Sequence, residues 1–184
     1  EIKNIFYWRN ITMKMFKKIM AVALTAVMAV SMLTGCAVTD AIIEDKAKDA
    51  LENAWSTVKN ENVSFKDGKF ASTDAYKKAK AMVENGTTKV EEDKASLAYG
   101  DNDYMVVVVA EPKDAKKVKS WKGLATTVLE KAFWDAGIYV NGTSSKTAKV
   151  YIKTGIEGKN AKDSSKKDTY TIFVFAKSEA AYNK

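Results

Sequence analysis

Four consecutive valines, Val106–Val109 within YMVVVVAE, constrain this chain more than any other stretch. Their branched Cβ atoms suit extended backbone and lose rotamer freedom in a helix. No polar residue alternates with them, so they predict a central strand covered on at least one face. The chain must therefore supply neighbouring strands and a second layer.

Apolar stripes at helical spacing supply that layer. The first joins Ile43, Ala47, Ala50, Leu51, Ala54, Trp55 and Val58, with Thr39 or Asp40 as its cap. The second joins Tyr76, Ala79 and Val83, started by Ser72 or Thr73 and stopped by Gly86. The third follows Pro112 through Val118, Trp121, Ala125, Val128, Leu129, Ala132 and Ala136, and ends at Gly137. Between them, Asp67-Gly68 predicts a hairpin within Val63–Ala71, and Gly100–Asp103 turns a second hairpin over Ser96–Glu111. Strands near Ile138–Val140, Ala148–Thr154 and Thr169–Ala176 follow, with Glu157–Asp168 as a polar, lysine-rich loop. This order predicts an α+β fold: about three helices packed on an antiparallel sheet of about four to six strands.

Ahead of these elements, Ile19–Val38 carries no charge, and the preceding MKMFKKIM, Met13–Met20, carries three lysines. A basic segment followed by an apolar one is the pattern of an export signal. The uncharged stretch is also 20 residues long, enough to cross a bilayer. The tetrapeptide Leu33-Thr34-Gly35-Cys36 bears on that choice. It resembles the lipobox of bacterial prolipoproteins: an apolar residue, two small ones, then cysteine, whose thiolate is nucleophilic enough to take a lipid. The resemblance covers Met13–Cys36. It implies a signal peptide over 13–35, recognition through Leu33, Thr34 and Gly35, and a mature chain that begins at acylated Cys36. It further implies tethering to the extracytoplasmic face of the cell membrane, through two or more acyl chains. The alternative is an uncleaved transmembrane anchor. Residues 1–12 fall upstream of this pattern and read as an upstream or artefactual segment.

Cys36 is the only cysteine, so no disulfide forms within the chain. The 148 residues after it suffice for one domain, with no repeat or linker to divide 36–184. The first helix starts close to Cys36, which places the domain near the membrane. Asn62, Asn85 and Asn141 sit in glycosylation sequons that a bacterial lipoprotein is not expected to use, and they read as turns.

The net charge of +7 is concentrated at the start of the chain. Before Cys36 there are five basic residues against Glu1; after it, 25 lysines face 22 acids. That balance, with no arginine, gives no reason to expect nucleic acid as a partner.

The chain has no histidine, which excludes Ser-His-Asp and Cys-His catalysis and His-bearing metal boxes. Ser56–Lys59 (STVK), Tyr139–Asn141 (YVN) and Lys153–Gly155 (KTG) resemble the signatures of penicillin-recognising serine enzymes. Ser56, however, falls near the C-terminal end of its helix, where the dipole opposes an oxyanion. The last two motifs are also too close together for that family's fold. Gly155–Asn160 lacks the ending of a phosphate loop, and Asp101–Asp103 lacks the rest of a calcium loop. No catalytic residue, metal or cofactor is expected.

Two lysine clusters stand out. Lys113, Lys116, Lys117, Lys119 and Lys122 surround Trp121, and Lys159, Lys162, Lys166 and Lys167 occupy the late loop. Asp114, Asp163 and Asp168 dilute both, so the plainer reading is a solvated helix face and a loop. Trp55 and Trp121 fall on apolar stripes, whereas Trp134 falls off its stripe. The candidate binding surface is Lys116, Lys117, Lys119 and Lys122 with Trp134, for an anionic envelope polymer, lipid head groups or an acidic protein. The functional expectation is a lipid-anchored, non-catalytic binding or structural domain. The rival is an envelope enzyme acting on glycan through Asp/Glu or Lys, which needs two facing carboxylates or a buried lysine.

Overall fold

The computed structural model describes residues 39–134 and 137–184, with 133 and 134 as backbone only. The lipobox residues Leu33, Thr34, Gly35 and Cys36, the signal segment, residues 1–12 and Ala136 lie outside the described residues. Among the described residues, no helix is long and apolar enough to cross a membrane.

Helix α1 covers residues 39–59. It is followed by β1 (Ser64–Asp67), α2 (Asp74–Glu84), β2 (Ala95–Gly100), β3 (Tyr104–Ala110) and α3 (Val118–Trp134). Then come β4 (Val140–Asn141), β5 (Thr147–Lys159), β6 (Lys167–Ala176) and the short α4 (Glu179–Tyr182). The strands form one sheet in the order β1-β5-β6-β3-β2, with β4 also paired to β5. Every pairing is antiparallel except β1 with β5. The protein is thus α+β, with four described helices on a six-stranded, mostly antiparallel mixed sheet.

All seven residues of β3 are buried because both faces of the sheet are covered. Met105, Val107 and Val109 point into a core shared with α1 and α3. Tyr104, Val106, Val108 and Ala110 point into a second core shared with α2 and α4. Strand alternation divides the valines between the two cores. Burying each valine side chain is worth about 1.5–3 kcal/mol.

Local chemistry sets several element ends as anticipated. Thr73 caps α2 by accepting the Tyr76 amide at 3.3 Å, and Gly86 after its end adopts φ +70°. The β2–β3 turn is tied by Asp101, whose carboxylate accepts the amides of Asp103 and Tyr104 at 2.9 and 2.6 Å. Trp121 is buried and donates to the Ala115 carbonyl at 2.7 Å. Trp55 is buried edge-on against Phe65.

Four expectations need correction. Asp67-Gly68 does not turn a hairpin: β1 runs parallel to β5, and Gly68 donates to the Val150 carbonyl at 2.8 Å. The sheet stays mostly antiparallel, as expected, with this one parallel pair. Thr39 and Asp40 lie inside the helix they were to cap, and Asp40 binds Lys153 instead. Val58 is 46% exposed, because α1 passes the edge of its core before its last turn. The loop predicted over Glu157–Asp168 is shorter, since its first and last residues extend β5 and β6 and pair through Lys159–Lys167.

Candidate functional site

The lysines around Trp121 sort according to the direction in which the indole is buried. With Trp121 fixed inward by its bond to Ala115, Lys116, Lys117, Lys119 and Lys122 are all exposed. Two lysines of the cluster are neutralised: Lys117 pairs with Asp114 at 3.1 Å, and Lys113 with Glu92 at 3.3 Å. Among the described residues, no carboxylate lies within ion-pair distance of Lys116, Lys119 or Lys122.

Lys119 and Lys122 share one helical row with Thr126 and face α1 across a groove of about 530 Å³. On the α1 side stand Asn53, Ser56 and Thr57, and Ala50, Ala54 and Val118 form an apolar floor. Among the described residues, no carboxylate lines this groove. The hydroxyls of Thr57 and Thr126 donate to the carbonyls of Asn53 and Lys122 at 2.9 and 3.3 Å, so each turns an acceptor oxygen outward. Asn53 and Ser56 keep side-chain donors exposed.

Asn53 and Ser56 also line a second groove of about 370 Å³ on the other side of α1. It adds Asn62, Ser64, Ser144 and Ser145. It also carries charge: the Glu52 carboxylate, which accepts the Phe65 amide at 2.7 Å, and Lys146, which is ion-paired to Glu61. The hydrogen bond from Lys146, with one from Trp55, holds the Glu61 carboxyl below its usual range.

The structure therefore divides the predicted surface. Lys119 and Lys122 come together in the groove, Lys116 and Lys117 lie outside its lining, and the side chain of Trp134 lies outside the described residues. Asn53 and Thr126 had no sequence signal, and Ser56 stood out only through the rejected STVK motif, because isolated polar residues on two separate helices acquire meaning only when the helices pack. Half of the late lysine cluster is neutralised: Lys166 pairs with Asp163 and Lys167 with Glu157. Lys162 borders a cleft shared with Glu91, Glu92, Glu111 and Asp168.

A second polar group stands where α1 meets β5. Lys153 donates to Asp40 at 3.1 Å and to Glu44 at 3.2 Å. Burial pulls this lysine down, but the bond to Asp40 and the charge of Glu44 outweigh it, so it is raised and stays cationic. It offers no free base. Across the strand, burial pushes Glu111 up, against its hydrogen bonds from Gly155 and Thr171. These groups tie α1 and β3 to β5. Among the described residues, no three Asp, Glu, His or Cys side chains are arranged to hold a metal ion.

Compared with known proteins, the chain matches no family model, no curated protein and no solved structure. Its functional reading rests on its own chemistry.

Proposed function

We propose that this chain is a bacterial envelope lipoprotein, anchored through acylated Cys36, whose single α+β domain binds an anionic partner without catalysing a reaction. The observation that carries the binding reading is a groove that, among the described residues, has no carboxylate in its lining and two lysines without an ion pair, Lys119 and Lys122. A groove of that make-up attracts negative charge and discriminates weakly among neutral solutes. The anchor rests on the lipobox resemblance of Leu33–Cys36, and the domain follows it within a few residues. Against an enzyme, Lys153 is held as a cation by two carboxylates, and Glu111 is engaged by a backbone amide and a hydroxyl.

Fractionation of cells producing the wild-type chain or Cys36→Ala tests this reading. The wild type is expected in the membrane fraction and released by detergent but not by high salt. Cys36→Ala can be neither acylated nor cleaved at the lipobox, so it is expected to stay in the membrane through its uncleaved apolar segment, at a higher mass and without lipid. Wild-type protein that is uncleaved and unacylated like Cys36→Ala contradicts the proposal.

A further inference from the structure

We infer that the anionic partner is a hydroxylated polymer, a polyol or glycan carrying repeated phosphate or carboxylate groups, laid across α1 from the Lys119–Lys122 groove to the Ser144–Ser145 groove. The inference rests on the proposed binding role and specifies its ligand. Charge is the first argument: among the described residues no carboxylate pairs with Lys119 or Lys122, so their groove complements a polyanion, and the Glu52 carboxylate of the second groove accepts from the polymer's hydroxyls. Hydrogen-bonding character is the second. Asn53 and Ser56 present donors, while Thr57 and Thr126 present acceptor oxygens whose protons are already used. Hydroxyl groups satisfy both kinds of partner; a carboxylate side chain of an acidic protein only accepts.

Shape is the third argument. The two grooves share Asn53 and Ser56, so one track crosses the helix, with Ala50 and Ala54 as an apolar floor for C–H faces on one side. A linear chain can follow such a track, whereas a compact head group fills one groove. The track is also set back along α1. Asn53 lies 14 residues beyond residue 39, about 21 Å along the helix from the end nearer Cys36 in sequence.

The test is isothermal titration of the full-length acylated protein in detergent micelles. The probes are a glycerol-phosphate polymer, a neutral glucan, poly-glutamate, and micelles carrying an anionic phospholipid. The variants are Lys119→Gln/Lys122→Gln, Ser56→Ala, and Lys116→Gln/Lys117→Gln as a charge-matched control outside the groove. Thermal unfolding of each checks that the fold persists. The phosphate polymer is expected to bind best and to weaken with added salt. The groove pair should lose about tenfold in affinity and Ser56→Ala about threefold, with less than about twofold for the control. Equal affinity of the groove pair and the wild type overturns the inference. So does tighter binding of poly-glutamate, which assigns the groove to a protein, or of the phospholipid micelles, which assigns it to lipid. Acylated wild-type protein that ignores the polymer refutes this inference and leaves the anchor standing; unacylated protein that binds it refutes the anchor alone.

Discussion

Glu111, just beyond the end of β3, accepts a hydrogen bond from the Gly155 amide on β5 at 3.3 Å, reaching over β6 between them. On the way it also accepts one from Thr171 at 3.4 Å. The contact marks a β-bulge. Lys153 pairs with Ile172 and Ile156 with Tyr170, so Thr154 and Gly155 together oppose Thr171. Gly155 has φ +73°, the left-handed conformation of a glycine-type bulge. The extra residue switches the strand's faces: Ile152 packs with α1 and α3, whereas Ile156 packs in the opposite core. Asp40, Glu44 and Lys153 then fasten α1 beside it.

Gly155→Ala should therefore cost about 1–2 kcal/mol, the price of left-handed backbone for a residue with a Cβ. Space is not the limitation, since a Cβ there would meet the Asp40 carboxylate at an ordinary 3.6 Å. Urea unfolding measures the loss. A midpoint unchanged from the wild type would show that the bulge does not depend on this conformation.

Glu111 gives stability a pH signature of its own. Burial raises its folded pKa above the ordinary 4.5, so its ionised form is disfavoured in the fold. Its contribution is greatest below the unfolded value and declines as pH rises through the folded one. Asp103, Glu157 and Asp163 are lowered by hydrogen bonds, so their contributions appear as pH rises towards their ordinary values and are complete above them. Just above pH 4.5 the downward slope thus belongs to Glu111. Glu111→Gln keeps an acceptor for Gly155 and should flatten that slope in unfolding midpoints measured between about pH 4.5 and 7. Parallel curves for variant and wild type would contradict the assignment.

Among the described residues, the buried Thr154 hydroxyl beside the bulge has no hydrogen-bond partner. Thr154→Val replaces it with a methyl group and leaves the backbone bond from Thr154 to Glu44 intact. The expected change is between neutral and about 1 kcal/mol of stabilisation, because an unsatisfied buried hydroxyl is a cost in the wild type. A loss above 1 kcal/mol in denaturant titration would mean that the hydroxyl has a partner in solution.

Those details explain what could be read in advance. The valine strand, the Thr73 cap and the Asp101 turn are local, each decided by a few neighbouring side chains, and they were legible. The pairing of β1 with β5 is not local. Asp67-Gly68 carries hairpin chemistry, but the partner strand lies about 80 residues away, so the turn signal misled. The second half of β5 was hidden by its composition: burial alternates without a break through the bulge, but Thr154 and Gly158 take inward positions where apolar residues would mark a strand, and Glu157–Lys159 resembles loop. At the groove, the lysines were visible as a cluster. Which two of them line it was not, because Asp114 pairs with Lys117 and α1 supplies the opposite wall.

Two-sided burial of β3 predicts that Val107→Ala and Val108→Ala lose similar stability, about 2 kcal/mol each, although their side chains enter different cores. Equilibrium unfolding of the two variants checks this. A near-neutral result at either position would mean that one helical layer does not cover the sheet.

The central claim is that this domain is held at a membrane by a lipid on Cys36. Intact-mass measurement of the protein extracted from membranes, at native expression, tests it most directly. The account predicts a chain that begins at Cys36 and carries the mass of a diacylglyceryl group, with or without a further acyl chain. An unmodified cysteine on a chain that still contains Met13–Gly35 would contradict it.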